Sequence, residues 1–350
     1  MFNGFLLAII LALPIIVSIL VVAIFLGKGE WSGRRLISVF EFDTSKGLIS
    51  QGLLWLSITT PIFIALSLGA RIWPDYEVLI SSEGFKNFIE ISILPLAVMS
   101  ISLPLTGLIS RFHSTQQTAK QIEVVSFKNN LDAFYAHRKE LMSYFSAMEP
   151  ITYLGVVEFK YIIHPVLHVR FFEGVPEKGW PVAKRESFDN VERGILQGAK
   201  HLVGVLSPNE DSGLGDLDCY LQGCKAIYLA AQALHIREIT QGLVSKGVMI
   251  KSNSCPDHGW DLFTIGTTTA EILAAVRYVK NYYDNLCDFA GVPRMIVSDG
   301  YEVVFRGGQR LLAGDLTIEN LHMFDIQQMV EDGRAQYDEK HPSVRKAEAA

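Results

Sequence analysis

The chain has 350 residues, of which 49% are hydrophobic, with 31 basic and 37 acidic side chains. This length suits two domains, and the apolar share is high for a soluble protein. A net charge of −6 argues against a broad basic surface for bulk nucleic acid and leaves room only for a local basic patch.

Charge is distributed unevenly along the chain. The first 110 residues carry six basic and seven acidic side chains, and the remaining 240 carry 25 and 30. All four cysteines lie in the charged part, too few in a chain this long for a secreted disulfide scaffold. The pattern predicts a membrane region at 1–110 and a soluble region after it.

Three uncharged segments predict three membrane-spanning helices, at about 5–26, 52–70 and 91–109. Each has the length needed to cross a hydrocarbon core of roughly 30 Å. Each contains proline, which membrane helices tolerate because Ser, Thr and neighbouring helices satisfy the freed carbonyls. For the second and third segments the alternative is a buried helix of a soluble core.

The loops between these segments predict an orientation. The 27–51 loop carries four Lys/Arg, whereas the 71–90 loop carries two together with four acids. Cytoplasmic loops carry the excess of basic residues. We therefore expect the N-terminus and the 71–90 loop outside, and everything after the third span in the cytoplasm.

Polar side chains inside the predicted spans are candidates for a wet path through an oligomer. The alternative is that these hydroxyls only satisfy backbone carbonyls beside the prolines. The candidate pore residues are Ser57, Thr60, Glu90, Ser102 and Thr106.

A juxtamembrane helix is predicted over 111–148, because no Pro or Gly interrupts it before residue 150. Its apolar residues follow a 3,4 spacing typical of a coiled coil, which favours self-association, with packing on its own domain as the alternative. The seam is Val124, Phe127, Leu131, Phe134, Arg138, Leu141, Phe145 and Met148. The candidate gating residues are Arg111, His113, Gln116, Gln117 and Arg138.

An α-rich cytosolic domain is predicted over 149–333, with a mobile tail over 334–350. Helices are expected over 216–244, over 268–290 behind a Thr268/Glu271 capping box, and over 318–330. Asp299-Gly300 predicts a β-hairpin within 295–305. The fold class is thus mainly α, with membrane helices first and a small hairpin.

The sequence gives few signs of chemistry. It contains no phosphate-binding loop, dinucleotide fingerprint or serine nucleophile elbow, so neither catalytic residues nor a cofactor are predicted. His164 and His168 have a metal spacing, but Pro165 stands where a metalloprotease carries glutamate. A weak zinc set remains, against the alternative of buried thiols: Cys219, Cys224, Cys255 and His258.

The segment "FFEGVPEKGWP" at 171–181 mixes aromatic residues with Gly, Pro and charge. Such a composition is typical of an ordered recognition loop, with packing at the edge of the core as the alternative. The candidate partner-binding residues are Phe171, Phe172, Lys178 and Trp180.

Three of these stretches together carry a resemblance. "SRFHSTQQTAKQI" after the last span, "YAHRKE" at 135–140 and "FFEGVPEKGWP" resemble the transmembrane effectors of bacterial retron antiviral systems. The resemblance implies that a reverse transcriptase with its RNA–DNA product holds the effector inactive. It further implies that the released protein acts as a toxin that damages the inner membrane and aborts infection.

Two further functions stay open on the sequence alone. One is a membrane scaffold or sensor that recruits a cytosolic complex and forms no pore. The other is a membrane-tethered enzyme built around Cys219, Cys255 and His258.

Overall fold

The computed structural model describes residues 2–29, 33–206, 216–251, 260–307 and 317–337. The chain divides into two compact units, unit 1 up to Lys128 and unit 2 from Asn129. Helices dominate both units, and the strands among the described residues all lie in unit 2. The mainly α fold predicted from the sequence is confirmed.

Unit 1 is built from helices. Its elements are α1 (Phe2–Leu26), α2 (Gly33–Ser38), α3 (Gly52–Ile72), α4 (Ser82–Ser100) and the start of α5 (Ser102–Ser146), which continues into unit 2. Three stretches are long and apolar enough to cross a membrane: Ala8–Leu26, Gly52–Asp75 and Ser82–Ser146.

The third stretch differs from the single span predicted over 91–109. It starts at Ser82, because the Ser81 hydroxyl accepts from the Gly84 amide at 3.1 Å and caps the helix. It is also interrupted at Ile101, between α4 and α5. Pro104 accounts for the break, since it has no amide for the carbonyl four residues earlier and its ring crowds that carbonyl.

Apolar side chains on the long helices of unit 1 mostly face outward. A small buried cluster joins the end of α1 to α2 and α3 and contains Val22, Ala23, Val39 and Leu56. Beyond it, residues such as Leu13, Ile93 and Leu103 are more than half exposed. This is the arrangement expected when lipid is the solvent of these faces.

Unit 2 has further helices and short turns of helix. They are α6 (Val166–Phe171), α7 (Arg185–Leu206), α8 (Asp216–Ala233), α9 (Thr269–Ala290), α10 (Glu302–Arg306), α11 (Thr317–Leu321) and α12 (Gln327–Glu331). Single π-helical turns span Glu238–Leu243 and His322–Ile326.

Three small antiparallel sheets accompany these helices. The strands are β1 (Ile151–Tyr153), β2 (Val157–Phe159), β3 (Phe172–Glu173), β4 (Val182–Ala183), β5 (Val248–Lys251), β6 (Trp260–Phe263) and β7 (Ala335–Tyr337). β1 pairs with β2, β3 pairs with β4, and β5 lies between β6 and β7.

The core of unit 2 surrounds α9, which buries apolar residues on nearly every side and packs against α7 and α8. Tyr278 and Tyr282 are among its largest fully buried side chains. The predicted capping box is confirmed, because the Thr268 hydroxyl accepts from the Glu271 amide at 3.2 Å. Gly291 ends the helix in the left-handed conformation.

Three sequence predictions in unit 2 are wrong in position. The hairpin over 295–305 is absent, and a 3₁₀ turn over Asp299–Tyr301 leads into α10. The helix predicted over 216–244 ends at Ala233, because His235 adopts a left-handed φ of 54°. Residues 335–337, assigned to the tail, form β7; residues 338–350 lie outside the described residues.

Candidate functional site

Hydroxyl groups join the long helices of unit 1 to one another. The buried Ser18 hydroxyl lies 2.6 Å from that of Thr59 and 2.9 Å from that of Thr60. The Ser57 hydroxyl donates to the Leu54 carbonyl at 2.6 Å and lies 3.2 Å from the Thr106 hydroxyl. Within one copy of the chain, these groups are therefore satisfied between helices.

The candidate pore residues are thus not equivalent. Ser57, Thr60 and Thr106 act as contacts between helices, whereas Glu90 is exposed on α4 and Ser102 is half-buried at the start of α5. A wet path would require several copies to bring exposed polar groups together.

The first turns of α5 beyond the apolar stretch are tied to the 42–46 loop of unit 1. His113 is buried, its Nε2 lies 3.0 Å from the Lys46 carbonyl oxygen, and its ring packs edge-on against Phe42. The Gln117 amide donates to the Thr44 carbonyl at 3.4 Å. Of the other candidate gating residues here, Arg111 and Gln116 are exposed.

Helix α5 then presents a group of uncovered apolar side chains. Ile122, Val124, Val125 and Phe127 are 49 to 63% exposed, and we call this group the exposed apolar segment. Charged residues flank it, with Glu123 bonded to Lys120 at 2.8 Å. The predicted heptad seam is therefore open at its start.

The later part of the same seam packs on its own domain. Leu141 and Phe145 are buried in the core of unit 2, and the Phe145 ring lies 4.8 Å from that of Tyr282. Phe134, Arg138 and Met148 are half-buried. The seam is thus free for self-association at its start and packs on its own domain at its end.

A buried histidine pair fixes α5 to α6 in unit 2. The Nδ1 of His137 lies 3.1 Å from the Nε2 of His168, and both side chains are buried. One nitrogen must donate and the other accept, so the pair is neutral or shares one proton. The rings of Phe172, Trp180 and Phe289 surround His137 at 4.7 to 5.1 Å.

This environment disfavours protonation of both rings. Burial lowers the pKa of His168 to about 4, and the nearby His137 and Arg138 act in the same direction. Burial also lowers the pKa of His137. At neutral pH the pair is therefore uncharged, with one neutral imidazole donating its N–H to the other.

The β3–β4 loop wraps against α5 beside this pair. The Asn130 amide donates to the Glu177 carbonyl at 2.7 Å, and Asn130 also lies against Gly179. Gly179 has a φ of 91°, a conformation that residues other than glycine avoid. We call the junction of α5, α6 and this loop the helix clasp.

The predicted partner-binding loop is corrected by these contacts. Phe171 packs on Phe188 in the core and Phe172 lines the histidine pair, so both are buried and cannot meet a partner. Lys178 is exposed, and Trp180 is 67% exposed. Packing at the edge of the core, the alternative from the sequence, describes both phenylalanines.

The candidate metal ligands do not converge. His164 stacks on His235 at 4.6 Å, whereas His168 faces His137. Cys219 and Cys224 are buried free thiols, and burial raises the pKa of Cys224 to about 12, which disfavours the thiolate that zinc needs. The described residues include no group of three metal-binding side chains, and Cys255 and His258 lie outside them.

Sequence reasoning named His168 only for its spacing from His164 and did not predict its contact with His137. His137 and His168 are 31 residues apart, and Phe289 comes from the far end of α9. The one signal in the sequence was His137 within the helix predicted over 111–148. A single histidine in a helix does not identify the residue that it contacts.

The chain matches no protein-family model, no curated protein and no solved structure. Its function must therefore be inferred from its own residues.

Proposed function

We propose that this chain is the membrane effector of a bacterial anti-phage retron system. In this proposal the reverse transcriptase with its RNA–DNA product holds unit 2 inactive. Release of unit 2 then acts through α5 on the membrane helices, and the inner membrane is permeabilised. The likeness at 110–122, 135–140 and 171–181 motivates the identity of the system.

One observation carries the mechanism. Helix α5 is continuous over 45 residues, about 68 Å at the rise of an α-helix. Its first turns are bonded into unit 1 and its last turns are buried in unit 2. A change in unit 2 thus has a direct covalent and hydrogen-bonded route to the membrane helices.

The proposed orientation puts unit 2 in the cytoplasm and the 71–90 loop outside. The basic residues of the 27–51 loop and of the start of α5 support it. A reporter that is active only in the cytoplasm should be active when it is fused after Ala350. The chain should also stay in the pellet after alkaline carbonate extraction, and an exported reporter or a soluble chain would contradict the proposal.

Self-association through the exposed apolar segment is part of the proposal. In the heptad of the seam, Val124 and Phe127 take the two core positions, and Glu123 and Lys128 take the flanking ones. In a parallel pair, Glu123 of one copy would face Lys128 of the other, as in parallel coiled coils. Insertion in one direction aligns all copies in parallel, which favours this pairing.

A matched pair of variants tests the assembly step. Phe127→Asp places a charge in the seam, whereas Ser126→Asp places it one residue away on the same exposed turn. We expect Phe127→Asp to reduce cross-linking between copies in membranes at least fivefold and Ser126→Asp to leave it unchanged. Equal cross-linking of both variants would remove the segment from the proposal.

The main experiment breaks the helix without removing a buried contact. Val125 is exposed, so Val125→Pro interrupts α5 at a cost of about 3 kcal/mol to the helix, and Val125→Ala is the control. Each variant is induced in cells without retron partners, and dye uptake, membrane potential and growth are followed. A proline effect on permeabilisation, in either direction, supports coupling.

Two results would contradict the proposed function. If abundant wild-type chain leaves polarisation and growth unaffected in the absence of partners, it is not a membrane toxin. If Val125→Pro and Val125→Ala permeabilise equally, α5 does not transmit the signal.

The second candidate is a scaffold or sensor that forms no pore. The hydroxyl contacts inside one copy favour it, because Thr60 and Thr106 are already engaged with neighbouring helices. The triple variant Glu90→Leu, Ser102→Leu and Thr106→Leu separates the two functions. A toxin that conducts ions should lose permeabilisation, whereas a scaffold should still recruit its cytosolic partner.

A further inference from the structure

Helix α9 carries a polar stripe on an otherwise buried surface. Arg277, Lys280, Asn281, Asp284 and Asn285 follow helical spacing along one side. They line a cavity of about 290 Å³ that also includes Tyr153, Val297 and Phe305. A polar stripe inside an α-helical core needs partners, because buried polar groups are costly when they are unpaired.

Arg277 is a half-buried cation whose hydrogen bonds within the described residues go to neutral carbonyl groups. Its Nε donates to the Val304 carbonyl at 2.8 Å, and its Nη2 donates to the Gly307 carbonyl. The ion pairs among the described residues include none with Arg277. Burial lowers the pKa of this guanidinium, which reflects the cost of holding the charge without an anion.

Asp284 brings a negative charge to the same cavity, and one of its two acceptor oxygens is unpaired. One of its carboxylate oxygens pairs with Lys280. The other, Oδ1, is buried and accepts no hydrogen bond in the part of the chain that the structure describes. Asp284 therefore holds a negative charge at this cavity with Lys280 as its one ion-pair partner among the described residues.

The remaining polar groups of the stripe are already ordered. The Asn281 amide donates to the Tyr153 hydroxyl at 2.8 Å, and the Asn285 amide donates to the Asn281 side chain at 2.6 Å. These bonds fix the floor of the cavity before any ligand enters. Such preorganisation reduces the entropy that a ligand would lose on binding.

The rim adds positive charge and an apolar wall. Arg294 pairs with Asp288 and Arg306 pairs with Glu302, both at the surface. Counting these acids and Asp284, the four cations still exceed the three carboxylates by one. Phe305 offers a flat apolar surface beside them.

We propose that this cavity binds a small phosphorylated ligand that also carries hydroxyl donors, with the size of a mononucleotide or a sugar phosphate. The phosphate meets Arg277, a hydroxyl donates to the Asp284 carboxylate, and the ring packs near Phe305. The volume lies just below the usual range of ligand pockets, roughly 300 to 1,000 Å³, which limits the ligand to a small one. The proposal does not depend on the effector function, because binding is measured directly.

The test uses the full chain in detergent or nanodiscs and calorimetric titration with AMP, ribose 5-phosphate, inorganic phosphate and adenosine. We expect saturable binding of at least one of the two phosphorylated organic probes, weaker binding of phosphate, and none of adenosine. The affinity should fall as salt rises, because a charge pair carries it.

Three variants locate the site. Arg277→Gln should weaken binding at least tenfold, and Asp284→Asn should weaken it by a smaller factor. The control is Arg193→Gln, which removes an exposed cation of α7. If Arg277→Gln does not fold, as judged by thermal unfolding, Lys280→Gln takes its place, because it removes a cavity cation without touching the main-chain bonds of Arg277.

The outcomes that overturn the proposal are definite. One is no saturable binding of any phosphorylated probe at millimolar concentration to a folded chain. Another is binding that Arg193→Gln weakens as much as the cavity variants do. Equal binding of AMP and adenosine would show that the phosphate is not recognised.

Discussion

Helices α4 and α9 contain similar apolar residues, but α9 buries them and α4 leaves them exposed. Helix α9 buries Ile272, Leu273 and Val276. Helix α4 leaves Ile93, Leu94 and Leu96 exposed. Water accounts for the first arrangement, since apolar area avoids it, and the second is the arrangement expected of a helix surrounded by lipid. The comparison shows that the exposure of a leucine is informative only when the solvent is known.

The largest expected effect is the loss of stability when a core side chain of unit 2 is truncated. Phe145→Ala removes a fully buried ring that contacts Tyr282 and should lower the free energy of unfolding by about 3 to 5 kcal/mol. Denaturant titration of the full chain in detergent, followed by tryptophan fluorescence, measures it. A loss below about 1 kcal/mol would mean that α5 does not pack in this core.

The next prediction compares one substitution in both regions. Leu94→Asp puts a charge on the outer face of α4 and should oppose insertion by about 2.5 to 3.5 kcal/mol. Leu229→Asp, on an exposed position of α8, should change stability by less than about 0.5 kcal/mol. The fraction of chain resistant to carbonate extraction measures the first, and denaturant titration measures the second. Normal insertion of Leu94→Asp would contradict the membrane assignment.

A pH titration sharpens the comparison inside unit 2. Because the folded-state pKa of His168, about 4, lies below its ordinary value of 6.5, its contribution to stability is full above pH 6.5. That contribution is lost as the pH falls from 6.5 towards 4. Thermal unfolding should therefore shift to lower temperature across this window. His168→Gln, which can still bond His137 but does not titrate, should flatten the shift.

The smallest effect concerns hydrogen bonds between membrane helices. Ser18→Ala removes the hydroxyl that meets Thr59 and Thr60 and should cost about 0.6 kcal/mol, and at most about 1.7. Ser100→Ala is the control, because its hydroxyl donates only within α4, to Ala97. Unfolding in mixed micelles measures both, and equal losses would mean that the contact between helices contributes nothing.

Local signals predicted much of this fold. The absence of charge located the three apolar stretches, and the Thr268/Glu271 box located the start of α9. Both features are determined by residues that are close together in the sequence, so they can be predicted without knowledge of the fold.

Tertiary contacts decided what the sequence could not. Asp299-Gly300 was expected to turn a hairpin, but Val304 is fully buried and its carbonyl accepts from Arg277. That contact favours helix at α10. The helix clasp was likewise hidden, because the histidine pair forms only when α5 and α6 meet.

The interruption at Ile101 has a mechanical consequence. Helix α4 and helix α5 are separate rods joined at one residue, and the missing hydrogen bond at Pro104 leaves that joint easier to bend than either rod. A twist applied to the C-terminal end of α5 can therefore be taken up there. Helix α4 can stay still while the start of α5 swivels.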